Sequence, residues 1–218
     1  MIDFLRQPSL WILLLLPIIM SKLIISLMLE TGQEFMLLPS WILFAQVMVG
    51  IMITAPNYIE EKEHKTIDAL RVSPLTLMEV IIAKGATVLL FSTITQLLVF
   101  TLNVGMNKDL FMAIPVMLVG GSLFICIGFI IGLLMNSSKT ASAIASIVMV
   151  TLFLIASLYQ QLPEWEKVLQ FIPSVVVVEN LTAAFSRQFV IVDIGLLLFW
   201  TVLFYCIIIF LVKRELNK

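Results

Sequence analysis

The chain has 218 residues, of which 61% are hydrophobic and 12% are charged, and its net charge is −1. Soluble domains carry about 25% charged residues, so this composition would leave a large apolar surface in water, and we expect that surface to face lipid instead. The near-neutral charge excludes a general basic field for nucleic acid, and the two cysteines, Cys126 and Cys206, have neither metal-ligand spacing nor a partner histidine.

Six apolar runs are each long enough to cross a bilayer as a helix, which requires roughly 20 mostly apolar residues. In chain order they are Ser9–Leu29, Leu38–Tyr58, Leu77–Asn103, Leu110–Met135, Thr140–Gln160 and Ile191–Val212. They are too long and too continuous for the strands of a membrane barrel. The first run is expected to be a retained span, because it is too long for a signal peptide and no small-residue cleavage site follows it. We therefore predict an all-α integral membrane protein with six transmembrane helices, folded as a single transmembrane domain over residues 1–218.

The positions of lysine and arginine predict the orientation, because cytoplasmic loops carry an excess of both residues. With the N-terminus inside, the inner segments hold nine of the 13 basic residues: Arg6, Lys62, Lys65, Arg71, Lys84, Lys139, Lys213, Arg214 and Lys218. The outer segments hold Lys108, Lys167 and Arg187, and Lys22 lies within the first span. Both termini are therefore expected in the cytoplasm, together with the connection between spans 2 and 3.

Polar residues inside the first two spans are candidates for a substrate path. Lys22 lies about 13 residues into span 1, and an intramembrane charge indicates a functional site by default. Its side chain could instead snorkel to the outer interface. Gln46 in span 2, like Gln96 and Asn103 in span 3, either lines a path or bonds a neighbouring helix.

The connection between spans 2 and 3 concentrates charge. Residues 60–71 include seven charged side chains and the only histidine of the chain. Glu61 and Lys65 have the i,i+4 spacing of a helical ion pair, and Ile67 and Leu70 share one face. We predict a short amphipathic helix over about residues 60–73, ended by Pro74, which cannot continue a helix.

Two other interpretations of this segment are a solvated loop and a helix lying on anionic lipid. The excess of acidic over basic residues argues against the lipid surface and favours a protein partner. Immediately afterwards, Thr76 and Glu79 have the spacing of a capping box, so span 3 is predicted to begin at Leu77.

These residues resemble the signature of a known family. The pattern Glu61-Lys62-Glu63-x-x-Thr66-x-x-x-Leu70-x-x-x-Pro74-Leu75, followed by Glu79 and Lys84-Gly85, is similar to that of type-2 ABC transporter permeases. These are the membrane subunits of many bacterial drug, antibiotic-peptide and polysaccharide exporters. Lys62 stands where arginine is usual, and Lys65 stands where glycine is common. The six spans, the predicted orientation and the long outer segment between spans 5 and 6 are also similar to the family.

The resemblance implies that the inner helix is a coupling helix, which docks in a cleft of a separate ATPase subunit and passes its closing motion to the spans. The implied coupling residues are Glu61, Glu63, His64, Thr66, Ile67, Leu70, Arg71 and Pro74, with Ile67 and Leu70 as buried anchors. It further implies two cytoplasmic ABC ATPase subunits, a second permease subunit as a homo- or heterodimer, and a place in the bacterial inner membrane. The chain has no G-x-x-x-x-G-K-[ST] phosphate loop. No cofactor is therefore expected in this chain, and ATP and magnesium would be bound by the partner ATPase.

Small residues mark two faces in the later spans. Gly128 and Gly132 form a G-x-x-x-G pattern in span 4, and Ser138, Ser142 and Ser146 repeat every four residues at span 5. Such faces let helices approach closely. Both are interpreted first as packing within the subunit and second as subunit contacts, and the resemblance implies that spans 1 and 5 meet their counterparts across a dimer axis.

The outer segment, residues 162–188, is predicted to dip back into the bilayer, because the residues after Pro173 are apolar. Irregular backbone is costly in lipid, so we expect a short helix packed on the spans. The resemblance places two short re-entrant helices in this segment. Glu179 and Asn180 would lie near the middle of the second helix and are candidates for an exit gate.

These features predict an exporter permease for an amphiphilic substrate such as a drug, an antimicrobial peptide or a lipid-like molecule, because the spans are nearly free of charge. A haem-export permease is an alternative, although no span contains a histidine to ligate iron. A channel or scaffold without an ATPase is a further alternative. No catalytic or metal-binding residues are predicted, because the chain lacks the Ser/His pair, zinc ligands or paired aspartates of intramembrane proteases.

Overall fold

The computed structural model describes residues 8–28, 34–63, 76–162, 164–188 and 191–216. Within these ranges the chain is helical and contains no strand, which confirms the predicted all-α class. The helices are α1 (Pro8–Met28), α2 (Glu34–Glu63), α3 (Leu77–Val104), α4 (Lys108–Leu134), α5 (Ser138–Leu158), α6 (Glu166–Leu169), α7 (Pro173–Ser186) and α8 (Ile191–Leu216), with a 3₁₀-helix at Tyr159–Gln161.

Six of the described helices, α1 to α5 and α8, are long and apolar enough to cross a membrane. Each coincides with one of the six predicted runs. The largest difference is in α2, which begins at Glu34 rather than Leu38 and continues past Tyr58 to Glu63. The amphipathic helix predicted over residues 60–73 therefore starts within the last turn of α2, and the rest of it lies outside the described residues.

Side-chain caps fix where three of these helices begin. The hydroxyl of Thr76 accepts a hydrogen bond from the backbone N–H of Glu79 at 3.3 Å, and the Glu79 carboxylate accepts one from the N–H of Thr76 at 2.7 Å. This is the predicted capping box, and α3 begins at Leu77 as expected. Asn107 and Ser137 cap α4 and α5. Only three residues separate each of these two helices from the helix before it, so consecutive spans are antiparallel neighbours.

Helices α2 and α4 form the centre of the bundle. Their spanning windows are each 72% buried within the chain, against 22% for α1, 33% for α3, 17% for α5 and 11% for α8. α2 packs against α1, α3, α4, α5 and α7, whereas α1 packs against α2 and α3. A helix that is apolar on all sides but shielded by protein on only one must expose the rest to lipid or to another subunit, which describes α1, α5 and α8.

Glycines bring α2 and α4 into close contact. A β-carbon added to Gly128 would lie 2.8 Å from the carbonyl oxygen of Gly50 and 2.8 Å from Cβ of Thr54. At Gly132 the nearest atoms belong to Tyr58. The G-x-x-x-G pattern therefore serves packing within the chain, in agreement with the first interpretation of the sequence.

Three short elements connect α5 to α8. The 3₁₀-helix and α6 precede α7, which has 14 residues and packs against α2, α4, α5 and α8. Pro173 occupies the first turn of α7, where its missing N–H costs nothing. Most of α7 is buried, including Ser174 and four consecutive valines, so this helix is shielded from its surroundings by the spans.

Candidate functional site

The antiparallel helices give the bundle two ends, and the predicted site residues are distributed over both ends and the middle. The Glu63 end contains the start of α1, α3 and α5 and the last residues of α2, α4 and α8. The Lys108 end contains the opposite termini of the same helices.

At the Glu63 end, the last turn of α2 contacts three other helices. Glu61 forms an ion pair with Lys84 of α3, and Lys62 forms one with Glu215 of α8. The carboxylate of Glu63 accepts a hydrogen bond from the backbone N–H of Ser138, the first residue of α5, at 3.0 Å. The end of α2 is thereby connected to α3, α5 and α8.

The predicted coupling residues divide into two groups. Glu61 and Glu63 lie in this last turn of α2, where their carboxylates contact other helices of the same chain. The others lie outside the described residues: His64, Thr66, Ile67, Leu70, Arg71 and Pro74. The i,i+4 pair expected between Glu61 and Lys65 also involves a residue outside the described part, and the pair that the structure does show joins Glu61 to Lys84.

In the middle of the bundle, Gln46 joins three helices. Its Nε2 donates to Oε1 of Gln96 on α3 at 2.8 Å and to the carbonyl oxygen of Met117 on α4 at 3.3 Å. Gln96 in turn donates to the Ser92 hydroxyl at 3.0 Å. Gln46 and Gln96 are fully buried, so both bond a neighbouring helix, one of the two roles that the sequence left open.

Gly120 of α4 makes room for this amide group. A β-carbon at Gly120 would lie 3.0 Å from Oε1 of Gln46 and 3.1 Å from Cγ1 of Val177 on α7. The Oε1 atom of Gln46 is buried and has no hydrogen-bond partner among the described residues. The amide therefore lies at the junction of α2, α4 and α7 with one acceptor unused.

Lys22 lies towards the Lys108 end and bonds the last turn of α3. Its Nζ donates to the carbonyl oxygen of Leu102 at 2.9 Å, and the neighbouring Ser21 hydroxyl accepts from Asn103 at 3.2 Å. The last carbonyl groups of a helix have no partner within that helix, and a cation is favoured there. This geometry gives Lys22 a capping role that joins α1 to α3, and its predicted role in a substrate path stays a prediction.

Contacts along α7 place its first half well inside the bundle. Val177 meets Gly120, which lies about 18 Å from the start of α4 at 1.5 Å per residue. Just before α7, the carbonyl oxygen of Phe171 accepts a hydrogen bond from Nε1 of Trp200 at 2.8 Å. After α7, Arg187 pairs with Asp109 at 2.8 Å, at the Lys108 end. α7 therefore runs from the middle of the bundle towards that end.

Glu179 and Asn180 lie side by side on α7 in different surroundings. Asn180 is buried, and its Nδ2 donates to the carbonyl oxygens of Val176 at 2.8 Å and Asp193 at 3.0 Å. Glu179 is half-buried, and burial, with further contributions from Asp193 and Glu166, raises its pKa to about 7. A hydrogen bond to Tyr159 opposes part of this increase.

An apolar groove lies between α3, α4 and α8 on the half of the bundle nearer the Glu63 end. It has a volume of about 180 Å³ and is lined mainly by apolar side chains, of which isoleucine is the most frequent. Tyr205 supplies one of its few polar atoms. Among the described residues, no group of three or more His, Cys, Asp or Glu side chains could hold a metal ion.

Comparison with protein families decides the class of the chain. A family model described as ABC-2 family transporter protein matches residues 30–210. The chain belongs to this family. The match runs from the residues just before α2 into the last turns of α8. A comparison with curated proteins found no match.

The chain is thus a type-2 ABC transporter permease, a multi-pass membrane transport subunit. The sequence singled out Glu61 and Glu63 in this ABC-2 permease but missed the partners that hold them, Lys84 and Ser138. It also missed the pairing of Lys62 with Glu215. The only available signal was the presence of basic or acidic residues near the ends of other spans, which does not specify which ends meet.

Proposed function

We propose that this ABC-2 permease exports an amphiphilic substrate across the bacterial inner membrane, driven by two separate cytoplasmic ATPase subunits that dock at residues 60–74. The family match over residues 30–210 carries the proposal, because it covers every predicted coupling residue. ATP and magnesium would be bound by the ATPase subunits, since this chain has no phosphate loop.

The Glu63 end supports a docking role for this segment. Residues 64–75 begin at the end of α2 and lead to the capped start of α3, and the ion pair between Glu61 and Lys84 holds these two helices together. A partner bound to the segment would therefore act on two helices at once. The excess of lysine and arginine in the predicted inner segments favours a cytoplasmic orientation for this end.

The apolar groove between α3, α4 and α8 supports an amphiphilic substrate. Its lining gives the apolar part of a ligand a large contact surface with few polar atoms.

For the opposite end of the substrate path, we propose that Glu179 and Asn180 of α7 belong to an exit gate, because they lie between the buried half of α7 and the Lys108 end.

A second permease subunit, identical or different, completes the proposed transporter. The outward faces of α1 and α5 support this assembly, because both helices expose large apolar side chains such as Ile19 and Ile147. Apolar surface of this kind faces lipid in a single chain and can be covered by another subunit.

The docking proposal is tested with the permease and its ATPase purified together from native membranes. Ile67→Asp and Leu70→Asp, combined, should abolish co-purification of the ATPase, because charged groups would replace the predicted apolar anchors. Ala69→Asp adds the same group on the opposite side of the predicted helix and should leave co-purification unchanged. Equal binding by both variants would contradict the docking site, and an unmodified permease without any ATPase would favour a channel or scaffold.

A further inference from the structure

The last turn of α2 contains four consecutive charged residues whose side chains point in different directions. Successive residues of an α-helix are rotated by about 100°, so residues 60–63 project around the whole circumference of α2. Glu61 contacts α3, Lys62 contacts α8, and Glu63 contacts α5. Glu60 is on the same side as Glu63 and accepts a hydrogen bond from the Ser138 hydroxyl at 3.5 Å.

The contact with α5 is made at a helix N-terminus. Ser138 is the first residue of α5, and its N–H has no partner within that helix. A carboxylate is favoured at this position by the helix dipole as well as by the hydrogen bond. Glu63 therefore links the end of α2 to the start of α5.

The Lys62–Glu215 contact joins α2 to α8, and these two helices otherwise make few contacts with each other. α8 packs chiefly against α4 and α7 rather than α2, and it is the least buried of the six spans. Glu215 lies in the last turn of α8, and the Lys62–Glu215 pair is partly shielded, with side chains 35% and 20% exposed. This pair bridges from α2 to α8 across the end of the bundle.

We propose that Lys62 and Glu215 are positioning residues that carry motion of the coupling segment from α2 to α8. The inference rests on the proposed docking of an ATPase at residues 60–74. Displacement of that segment moves the ends of α2 and α3 directly, because both flank it. Glu63 passes the displacement to α5, and Lys62 passes it to α8, whose packing contacts with α2 are too few to do so.

Charge exchange tests the link in the ATPase complex purified from native membranes. Glu215→Lys lies outside the docking segment and should leave ATPase binding intact but reduce transport per ATP hydrolysed by at least about fivefold, the low end of typical coupling between sites. Lys62→Glu should reduce the same ratio by a similar factor, measured on the complex that co-purifies with its ATPase. The combined exchange restores opposite charges and should restore coupling. Arg214→Glu makes the same charge change at an exposed position beside Glu215 and should have no effect. The proposal would be overturned if the single variants lost no more coupling than Arg214→Glu, or if the double variant with Lys62→Glu and Glu215→Lys did not recover coupling.

A cross-link tests the same contact without relying on charge. Cys126→Ala and Cys206→Ala first remove the native thiols, and Lys62→Cys and Glu215→Cys are then introduced. A short bis-methanethiosulfonate reagent should join them in membranes, and the joined protein should regain the coupling that the two cysteine substitutions remove. Absence of the cross-link, or a cross-linked protein that stays uncoupled, would show that these helix ends do not move together.

The two proposals fail in different ways. If the unmodified permease binds no ATPase, the docking proposal is wrong and this inference is wrong with it. If the unmodified complex couples normally while Lys62 and Glu215 variants behave like Arg214→Glu, the docking proposal stands and only the link to α8 is wrong.

Discussion

At Gly128, the absence of a side chain determines how closely two helices approach. The position of a β-carbon is occupied by backbone of α2, with the Gly50 carbonyl oxygen only 2.8 Å away. Backbone cannot move aside as a flexible side chain can, so any larger residue must push α2 and α4 apart. Gly195 on α8 is different, because no atom lies within 4 Å of its β-carbon position.

We expect Gly128→Ala to lower stability by about 1–3 kcal/mol through overpacking. In a chain of this size that corresponds to a melting temperature lower by roughly 2–4 °C per kcal/mol. Gly195→Ala is the matched control and should be neutral or slightly stabilising, since alanine is the better helix former. Thermal unfolding of both variants in the same detergent gives the comparison, and an unchanged Gly128→Ala protein would contradict the close contact.

The raised pKa of Glu179 predicts that the stability of the folded chain depends on pH. Its pKa of about 7 in the folded chain exceeds the ordinary value of 4.5, so the folded state binds a proton that the unfolded state has lost between these values. The stability that protonated Glu179 contributes is fully present below pH 4.5 and is lost as the pH rises through 7. Glu179→Gln stays neutral and should retain it.

Melting curves between pH 4.5 and 8.5 measure this difference. Wild type and Glu179→Gln should coincide at the acidic end, and the variant should be more stable at pH 8.5 by about 1 kcal/mol, a value reduced for solvent access to a half-buried group. Glu164→Gln, an exposed position in the same outer segment, is the control. Parallel curves for wild type and Glu179→Gln would rule out the raised pKa.

At the scale of the helices, one side-chain pair connects α2 to α3 in the apolar middle of the bundle. Gln46 and Gln96 are 50 positions apart in sequence, and their amides bond at 2.8 Å. Such bonds between membrane helices contribute modestly, because the unfolded chain in a bilayer also finds partners. Removing only one amide leaves the other buried without its partner.

A double-mutant cycle measures this contact. We expect Gln46→Leu and Gln96→Leu each to destabilise the chain, and the double variant to lose less than the sum of the two. The difference should be about 0.6 kcal/mol and at most ~1.7 kcal/mol, the range for hydrogen bonds between membrane helices. Strict additivity would mean that the two amides do not interact in the folded chain.

The elements also show what the sequence can and cannot predict. The spans follow from local hydropathy, and the start of α3 follows from two residues three positions apart, so both were predictable. The partner of Glu61 was not predictable, because Lys65 and Lys84 satisfy the same charge requirement. Only the packing of α3 on α2 brings Lys84 within reach of Glu61. The roles of Gln46 and Lys22 were left open for the same reason.

At the scale of the whole molecule, the predicted orientation in the membrane rests on charge and determines which end the proposed ATPase would reach. In the sequence, nine of the 13 basic residues fall in the predicted inner segments and three in the predicted outer segments. Sequence alone predicted this bias because it requires only a count along the chain. It could not predict that α2 and α4 are central while α1, α5 and α8 are peripheral, since all six spans are similarly apolar.

Single cysteines test the orientation in a chain lacking Cys126 and Cys206. Met106→Cys, at a position 82% exposed near the Lys108 end, should react with a membrane-impermeant maleimide on intact cells. Lys139→Cys, exposed at the Glu63 end, should react only after the membrane is permeabilised. The reverse pattern would place the proposed ATPase site outside the cell.

The glycine contacts between α2 and α4 restrict how a transport cycle can proceed. The Gly50 carbonyl oxygen lies against Gly128, Tyr58 lies against Gly132, and Gln46 lies against Gly120. These two helices therefore cannot slide or separate without losing their tightest contacts. We therefore expect α2 and α4 to move as one rigid unit, and the less buried helices around them to move relative to that unit. On this expectation, the proposed substrate route would run along the flank of the chain, at the boundary with lipid or with the proposed second subunit, and not between α2 and α4.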